Sequence, residues 1–191
     1  MKIVLIGCVD FSARCLEALI RLEANIVGVC TLQESPINSD HVDLTPIAKK
    51  YEIPVSNTVD INSPLSITWI KELEPDIIFC FGWSRLLGKD LLKISPMGVV
   101  GFHPAALPAN RGRHPLIWAL VLGLDETAST FFVMDEEADS GDILSQRTVS
   151  IEFDDDASSL YDRVTRVAIS QIEDFLPLLA ERVFSLSAQD H

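Results

Sequence analysis

Short, unbroken apolar runs recur along this chain and constrain its fold more than any other feature. Lys2–Cys8, Ile26–Cys30 and Pro75–Gly82 have the length of strands and no alternation with polar residues. Such runs are typical of strands that a parallel sheet buries on both faces. Segments with helical spacing separate them, and no hairpin signal occurs before the last part of the chain. The pattern predicts an α/β fold with a doubly wound, mostly parallel, Rossmann-like sheet.

The second half of the chain adds a strand pair and one long helix. Thr127–Met134 and Asp142–Ile151 have strand composition, and apolar residues then recur every three or four positions from Leu160 to Leu179. The aspartates Asp154-Asp-Asp156 come just before this helix, where negative charge stabilises a helix N-terminus. With 191 residues, 48% of them hydrophobic, the chain can bury one core, so residues 1–191 predict a single domain.

Charge and cysteine usage exclude several classes of function. The net charge of −13 argues against a nucleic-acid substrate, because polyanions are bound by basic surfaces. The four cysteines form no Cys-x-x-Cys pair, and contiguous aspartates point in different directions, so no metal site is predicted. The first apolar run is too short for a signal peptide or a membrane span. A reduced, cytoplasmic location without membrane contact is expected.

Gly98–Pro115 is the strongest candidate for a functional segment. Its valines predict a buried strand that ends at His103, and Pro104 and Pro108 then prevent regular structure. Open α/β sheets bind ligands at the carboxyl ends of their strands, so His103 is a candidate site residue. Trp118, in the helix predicted from Pro115, is expected to pack against the sheet.

Asp139 is the candidate partner of His103. It lies in the loop between the last two predicted strands, and a histidine and a carboxylate from separate loops can act together as acid and base. The structural alternative is equally open from spacing alone: His103 would end a strand and Asp139 would form a turn.

These residues form an ordered series that resembles one family. The series is His103-Pro-Ala-Ala-Leu-Pro, Arg111-Gly, Pro115-Leu-Ile-Trp-Ala-Leu, Gly123 and Asp139-Ser-Gly-Asp-Ile-Leu-Ser-Gln146. It is similar to the folate-dependent formyltransferases, which include methionyl-tRNA formyltransferase and the N-formyltransferases of nucleotide-linked amino sugars. The resemblance covers nearly the whole chain. Because the Gln189-Asp190 step leads into further residues in that family, its C-terminal extension is expected to be absent here.

The resemblance implies transfer of a formyl group from N10-formyltetrahydrofolate to a primary amine. His103 would donate to the developing oxyanion or help the amine lose its proton, and Asp139 would orient His103 or relay protons. The family loop that holds the folate pterin would correspond to Gly82–Gly88. The residues implied for donor binding are Trp83, Ser84, Arg85, Leu86, Leu87, Asp135 and Asp139.

Five further residues are candidates for binding the acceptor substrate. Phe11 and Ser12 lie in the family's acceptor turn, although a hydrophobic staple and a helix cap are the simpler explanation of both. Pro104 follows the candidate histidine. Arg111 and Arg113 belong to a basic cluster with Arg85, Lys89 and Lys93, which would suit a small anionic group such as a pyrophosphate.

One departure from the family pattern bears directly on activity. The family has Asn-x-His at the strand end, and here Gly101 occupies the asparagine position. Loss of one oxyanion donor typically lowers the rate by ~10²–10³-fold. Asn110 could supply the missing donor, or the space over Gly101 could admit an ordered water. A third alternative is a folate- or nucleotide-binding module without catalysis.

The acceptor is predicted to be a small nucleotide-linked amine, most simply an amino sugar. Methionyl-tRNA and glycinamide ribonucleotide are the alternatives that the resemblance leaves open. The acidic composition argues against the first of these two. The sequence leaves the oligomeric state open, with a homodimer as one option.

Overall fold

A computed structural model describes residues 1–36 and 38–190, and it has the expected alternation of strands and helices. The strands lie in one mostly parallel sheet in the order β3-β2-β1-β4-β5-β6-β7. The predicted fold class and the C-terminal helix are therefore confirmed. The elements are β1 Ile3–Ile6, α1 Asp10–Arg21, β2 Ile26–Thr31, α2 Thr45–Lys50, β3 Val55–Asn57, α3 Pro64–Glu72, β4 Ile77–Cys80, α4 Lys89–Leu92, β5 Val99–His103, α5 Pro115–Val121, β6 Glu126–Val133, β7 Ile143–Ser150 and α6 Ala157–Glu181.

The chain divides into two compact units, Met1–Val100 and Gly101–His191. In the first unit, β1 pairs in parallel with both β2 and β4, and β2 pairs in parallel with β3. Every residue of β1 and β4 is buried, which explains their unbroken apolar sequence. The four cysteines are all buried and reduced, and burial raises the pKa of the Cys8 thiol to about 11.

Ser12 has a local structural role in the first unit. It occupies the third position of α1, where its Oγ accepts a hydrogen bond from the Val9 backbone N–H and donates one to the Phe81 carbonyl. Phe11 is 4% exposed and Ser12 is 0% exposed. Both side chains therefore belong to the start of α1 and its packing, in agreement with the alternative of a helix cap, and the structure does not present them to a ligand.

In the second unit, β6 and β7 form an antiparallel ladder that α6 covers. The ladder runs from Glu126 opposite Ser150 to Phe132 opposite Ile143. Asp156 is the N-cap of α6 and accepts hydrogen bonds from two backbone N–H groups, as the run of aspartates predicted. The core joins α5, β7 and α6 through Leu116, Val149, Leu160 and Val164.

The prediction that Trp118 packs against the sheet is wrong. Trp118 is 54% exposed, and α5 buries Leu116 and Ala119 instead. In α3, Leu65 is also exposed, and that helix buries Ser66 and Ile70. Apolar composition alone therefore does not identify the buried face of these short helices.

The described residues contain neither a helix that could cross a membrane nor a cluster of metal ligands. None of the helices in the described residues has the length and apolar composition that crossing a bilayer requires. Within residues 1–36 and 38–190, His, Cys, Asp and Glu side chains form no group of three that could hold a metal ion.

Candidate active site

The candidate site in the second unit begins where β5 ends. His103 is the last residue of β5 and is 5% exposed. The segment that follows is tied to β6 and β7 by side chains of those strands, which fixes the path of the chain away from the histidine. The three hydrogen bonds run from Thr127 Oγ1 to the Pro104 carbonyl, from Thr130 Oγ1 to the Ala105 carbonyl and from Gln146 Nε2 to the Leu107 carbonyl.

One ring nitrogen of His103 contacts the backbone of Asn110. The distance between His103 Nε2 and the Asn110 carbonyl oxygen is 2.8 Å. A carbonyl oxygen only accepts hydrogen bonds, so Nε2 carries the hydrogen. One alternative made the Asn110 side chain the missing donor, but the group that Asn110 turns towards His103 is an acceptor. The left-handed backbone at Asn110, with φ 56°, directs its carbonyl inward.

The other ring nitrogen of His103 faces Asp139. His103 Nδ1 lies 3.6 Å from Asp139 Oδ2, which is too long for a hydrogen bond but within reach of a small movement. The same Oδ2 accepts a hydrogen bond of 2.9 Å from the Gly112 backbone N–H. The structure thus brings together the histidine and the aspartate that the sequence singled out.

Hydrogen bonds between residues of the same turn fix the conformation of the turn that carries Asp139. Asp135 Oδ1 accepts hydrogen bonds from Ser140 Oγ at 2.6 Å and from the Glu137 backbone N–H at 3.0 Å. Asp139 itself has a left-handed backbone, with φ 57°. Asp135, a candidate for donor binding, therefore has a visible role in shaping this turn.

The two arginines of the candidate acceptor site differ in their surroundings. Arg111 directs Nε and Nη2 to the side-chain oxygen of Gln189, at 3.2 and 2.6 Å. Arg113 is exposed. A phosphate at Arg111 would have to share its guanidinium group with Gln189, whereas Arg113 is open to a ligand. Gln189 was not predicted as a site residue.

The space over Gly101 is already filled. A Cβ atom at Gly101 would lie 2.8 Å from Met134 Cγ, 3.0 Å from its sulfur and 3.1 Å from Phe132 Cζ. The idea that the small glycine admits an ordered water is therefore wrong, because Met134 and Phe132 occupy that volume. The missing asparagine side chain has been replaced by an apolar contact from β6 and the residue that follows it.

We expect Gly101→Asn alone to destabilise the protein by about 1–3 kcal/mol, the usual cost of overpacking a core. The double variant Gly101→Asn/Met134→Ala should recover part of this loss, because it removes the atoms nearest to the new Cβ. Urea unfolding measures both effects, with Met134→Ala as the control for the cavity. A Gly101→Asn variant as stable as the wild type would show that Met134 moves freely.

The candidate donor-binding loop lies in the first unit, after β4. Trp83, Ser84 and Arg85 line a cleft of about 170 Å³ whose other walls come from the segments near Cys8 and Leu32. The indole Nε1 of Trp83 is buried and has no hydrogen-bond partner among the described residues. A buried donor without a partner is rare in proteins and suits a polar ligand group.

Asn62 fixes the second half of this loop and was not predicted. Its side chain donates to the Leu86 carbonyl at 3.0 Å and accepts from the Gly88 backbone N–H at 2.7 Å. Leu86 is 67% exposed and available to a ligand, whereas Leu87 is buried at 7% and belongs to the core. Arg85 donates to the Val59 carbonyl, which limits its freedom to hold an anion.

Several known proteins resemble this chain. A methionyl-tRNA formyltransferase from Geotalea daltonii is 33% identical over 183 residues, covering 94% of this chain and 59% of the relative. The chain spans about three fifths of the length of the curated relatives that it matches.

Solved structures show the same fold at lower identity. Phosphoribosylglycinamide formyltransferase from Bacillus halodurans has a TM-score of 0.77 at 22% identity, with 89% of this chain and 90% of that chain covered. An N-formyltransferase from Helicobacter canadensis has a TM-score of 0.79 at 18% identity, covering 100% and 68%. Residues 1–174 match the Formyl transferase family, so the chain belongs to this family, as the ordered series of residues predicted.

Proposed function

We propose that this chain transfers a formyl group from N10-formyltetrahydrofolate to the primary amine of a nucleotide-linked amino sugar. The observation that carries the proposal is the pairing of His103 and Asp139 at the carboxyl end of β5, with 3.6 Å between Nδ1 and Oδ2. Family membership supports the reaction class. The arrangement provides a proton-exchanging pair where an α/β sheet binds its ligands.

In this reaction the amine nitrogen bonds to the formyl carbon and the bond from that carbon to folate N10 breaks. A proton passes from the amine to N10 overall, so a group must accept and return it. His103 performs this exchange through Nδ1, because Nε2 is engaged by the Asn110 carbonyl. When Nδ1 takes up the proton, the carboxylate of Asp139, with Oδ2 3.6 Å away, offsets the positive charge on the ring.

The donor would bind against the loop of residues 83–86. Trp83 offers an apolar wall and a buried N–H without a partner among the described residues, and Leu86 offers a second, exposed apolar surface. The structure of the Helicobacter canadensis enzyme holds folinic acid, a reduced folate, together with dTDP-3-aminofucose. This supports a reduced folate as the donor for the present chain.

Charge supports a small acceptor over a tRNA. The net charge of −13 would repel a long polyanion, whereas one diphosphate needs only one or two local cations. Arg113 provides such a cation in an exposed position. Methionyl-tRNA is the second candidate acceptor, because the curated relatives at 33% identity carry that activity in their names.

A formyl-transfer assay with a panel of acceptors tests the proposal. The panel holds nucleotide-linked amino sugars, methionyl-tRNA and glycinamide ribonucleotide, each with N10-formyltetrahydrofolate. We expect turnover with at least one amino sugar and much less with the other two. Turnover with methionyl-tRNA alone would identify the second candidate. Folate binding without product from any acceptor would indicate a binding module.

Arg113→Ala is expected to raise the KM for a diphosphate-containing acceptor about tenfold with little change in kcat. An exposed guanidinium group gives a charge-assisted contact to phosphate that is the same before and during the reaction. Steady-state kinetics at low salt measure the effect. Arg166→Ala removes another exposed arginine, on α6, and is the control. Equal KM values for Arg113→Ala and the wild type would refute the phosphate contact.

A further inference from the structure

Gln189 makes an unusually complete set of hydrogen bonds for a residue so far from the candidate site in sequence. Its side-chain oxygen accepts from Arg111 Nε at 3.2 Å and from Arg111 Nη2 at 2.6 Å. Its side-chain nitrogen donates to the Asp139 carbonyl at 3.0 Å and to the Gly141 carbonyl at 2.6 Å. The amide thus uses both of its donors and both acceptor positions, and the residue is 6% exposed.

The segment that carries Gln189 is anchored on β7. Ile143 and Ser187 exchange two backbone hydrogen bonds, at 2.8 and 2.9 Å, in an isolated antiparallel bridge. Ile143 is the first residue of β7 and follows the Asp139 turn directly. The bridge therefore places Gln189, two residues further on, against that turn.

Gln189 connects the two loops that meet at His103. One loop contains Asn110, whose carbonyl holds His103 Nε2, and Arg111, which contacts Gln189. The other contains Asp139, whose carboxylate faces His103 Nδ1. The hydrogen bond from the Gly112 N–H to Asp139 Oδ2 joins the loops directly. The buried side chain of Gln189 joins the same two loops a second time, and we call its hydrogen bonds to Arg111 and to the Asp139 turn the clamp.

We propose that Gln189 is a positioning residue for formyl transfer, which holds the Asp139 turn and the Arg111 loop so that Asp139 faces His103. The expected effect of Gln189 on the rate of formyl transfer rests on the proposed function. Its expected effect on the geometry of the two loops rests on the structure alone. The two consequences are measured separately.

Gln189→Met retains the length of the side chain and removes both halves of the clamp. We expect kcat to fall by about 10²-fold, because misplacement of a catalytic group by 1 Å has an effect of this size. The KM for the acceptor should change little. Gln189→Asn keeps the amide but is one methylene shorter, so it cannot reach both loops and should lose a similar factor.

A double-mutant cycle tests whether Gln189 acts through Asp139. In an Asp139→Asn background, Gln189→Met should have little further effect on kcat, because the group that it positions has already lost its function. A fully multiplicative loss would mean that Gln189 affects the rate by another route, and the proposal would be wrong.

Backbone hydrogen exchange tests the geometry without any activity. The Gly112 N–H donates to Asp139 Oδ2, so its exchange should be faster by about tenfold or more in Gln189→Met. Gln171→Met is the matched control. Gln171 is also buried and donates to the Ser129 carbonyl and Ser145 Oγ, but it lies in α6. It should leave the exchange of Gly112 and the kcat of the folded protein unchanged.

These measurements separate the failure of one proposal from the failure of the other. A wild type without turnover on any acceptor contradicts the proposed function, and faster exchange of Gly112 in Gln189→Met would still support the clamp. An active wild type, with kcat and Gly112 exchange unchanged in both Gln189 variants, would overturn the clamp and leave the proposed function intact.

Discussion

Replacement of His103 by alanine is expected to lower kcat for formyl transfer by about 10²–10⁴-fold. Positioned acid–base groups contribute rate factors of this size, and His103 is an imidazole whose Nδ1 lies 3.6 Å from the carboxylate of Asp139. The KM for the folate donor should change little, since the ring is 5% exposed and offers little contact area. Single-turnover kinetics with the acceptor identified by the panel measure the loss.

His103→Gln separates the chemical role of the ring from its structural role. The glutamine amide reaches about as far as imidazole Nε2 and can donate to the Asn110 carbonyl, which His103 Nε2 meets at 2.8 Å. It cannot exchange a proton with Asp139 or with the substrate. We therefore expect this variant to unfold at nearly the wild-type temperature and to be as inactive as His103→Ala.

Two outcomes would contradict this role for His103. Activity within about threefold of the wild type in His103→Ala would remove the histidine from the reaction. Activity recovered in His103→Gln would show that the ring serves only to hold the loop through the Asn110 carbonyl. In either case the proton would have to pass through another group of the site.

The parts of the site that the sequence predicted share a physical basis. A buried parallel strand must read as an apolar run, and the residue at its carboxyl end faces the ligand-binding edge. This places His103 without any knowledge of its neighbours. Asp139 follows from the loop between two strands of clear composition, which pair directly as β6 and β7.

Other features of the site depend on contacts that no local pattern records. One alternative had Asn110 act through its side-chain amide, but a left-handed backbone turns its carbonyl to His103. Gln189 reaches Arg111 across 78 positions of sequence. The Gln189-Asp190 step was visible only as part of a family resemblance, and its role in the site required the tertiary structure.

Burial was the least predictable property of individual side chains. Phe11 and Ser12 sit in a turn that resembles an acceptor site, yet both are buried: Ser12 Oγ caps the first turn of α1, and the Phe11 ring lies beside that of Phe81. One of the alternatives placed open space over Gly101, and Met134 fills that space. Both outcomes depend on which side chains from distant parts of the sequence pack into a given volume. A close-packed core leaves few such volumes empty.

Gly141→Ala is expected to destabilise the protein by at least about 3 kcal/mol. A Cβ atom at this position would lie 1.7 Å from the Val133 carbonyl oxygen and 2.9 Å from its carbon. Both are backbone atoms of β6, so no side-chain rotation relieves the overlap, and the strand or the turn must move. Steric conflicts with backbone belong to the small class of substitutions with such large effects.

The conflict at Gly141 also affects the candidate site. The Gly141 carbonyl accepts a hydrogen bond of 2.6 Å from Gln189, and Asp139 lies two residues earlier in the same turn. Movement of the turn away from β6 would shift Asp139 relative to His103. The folded fraction of Gly141→Ala should therefore also have a reduced kcat, comparable with that of Gln189→Met.

Gly123→Ala is the matched control for this prediction. Gly123 has a φ of 62°, but a Cβ there would meet no atom within 4 Å, so alanine would incur only the backbone cost of about 1–2 kcal/mol. Urea unfolding of the two variants separates this cost from the overlap at Val133. If Gly141→Ala lost no more stability than Gly123→Ala, the Asp139 turn would have a relaxed alternative to the geometry described, and the positions of both Asp139 and Gln189 would no longer be fixed by packing against β6.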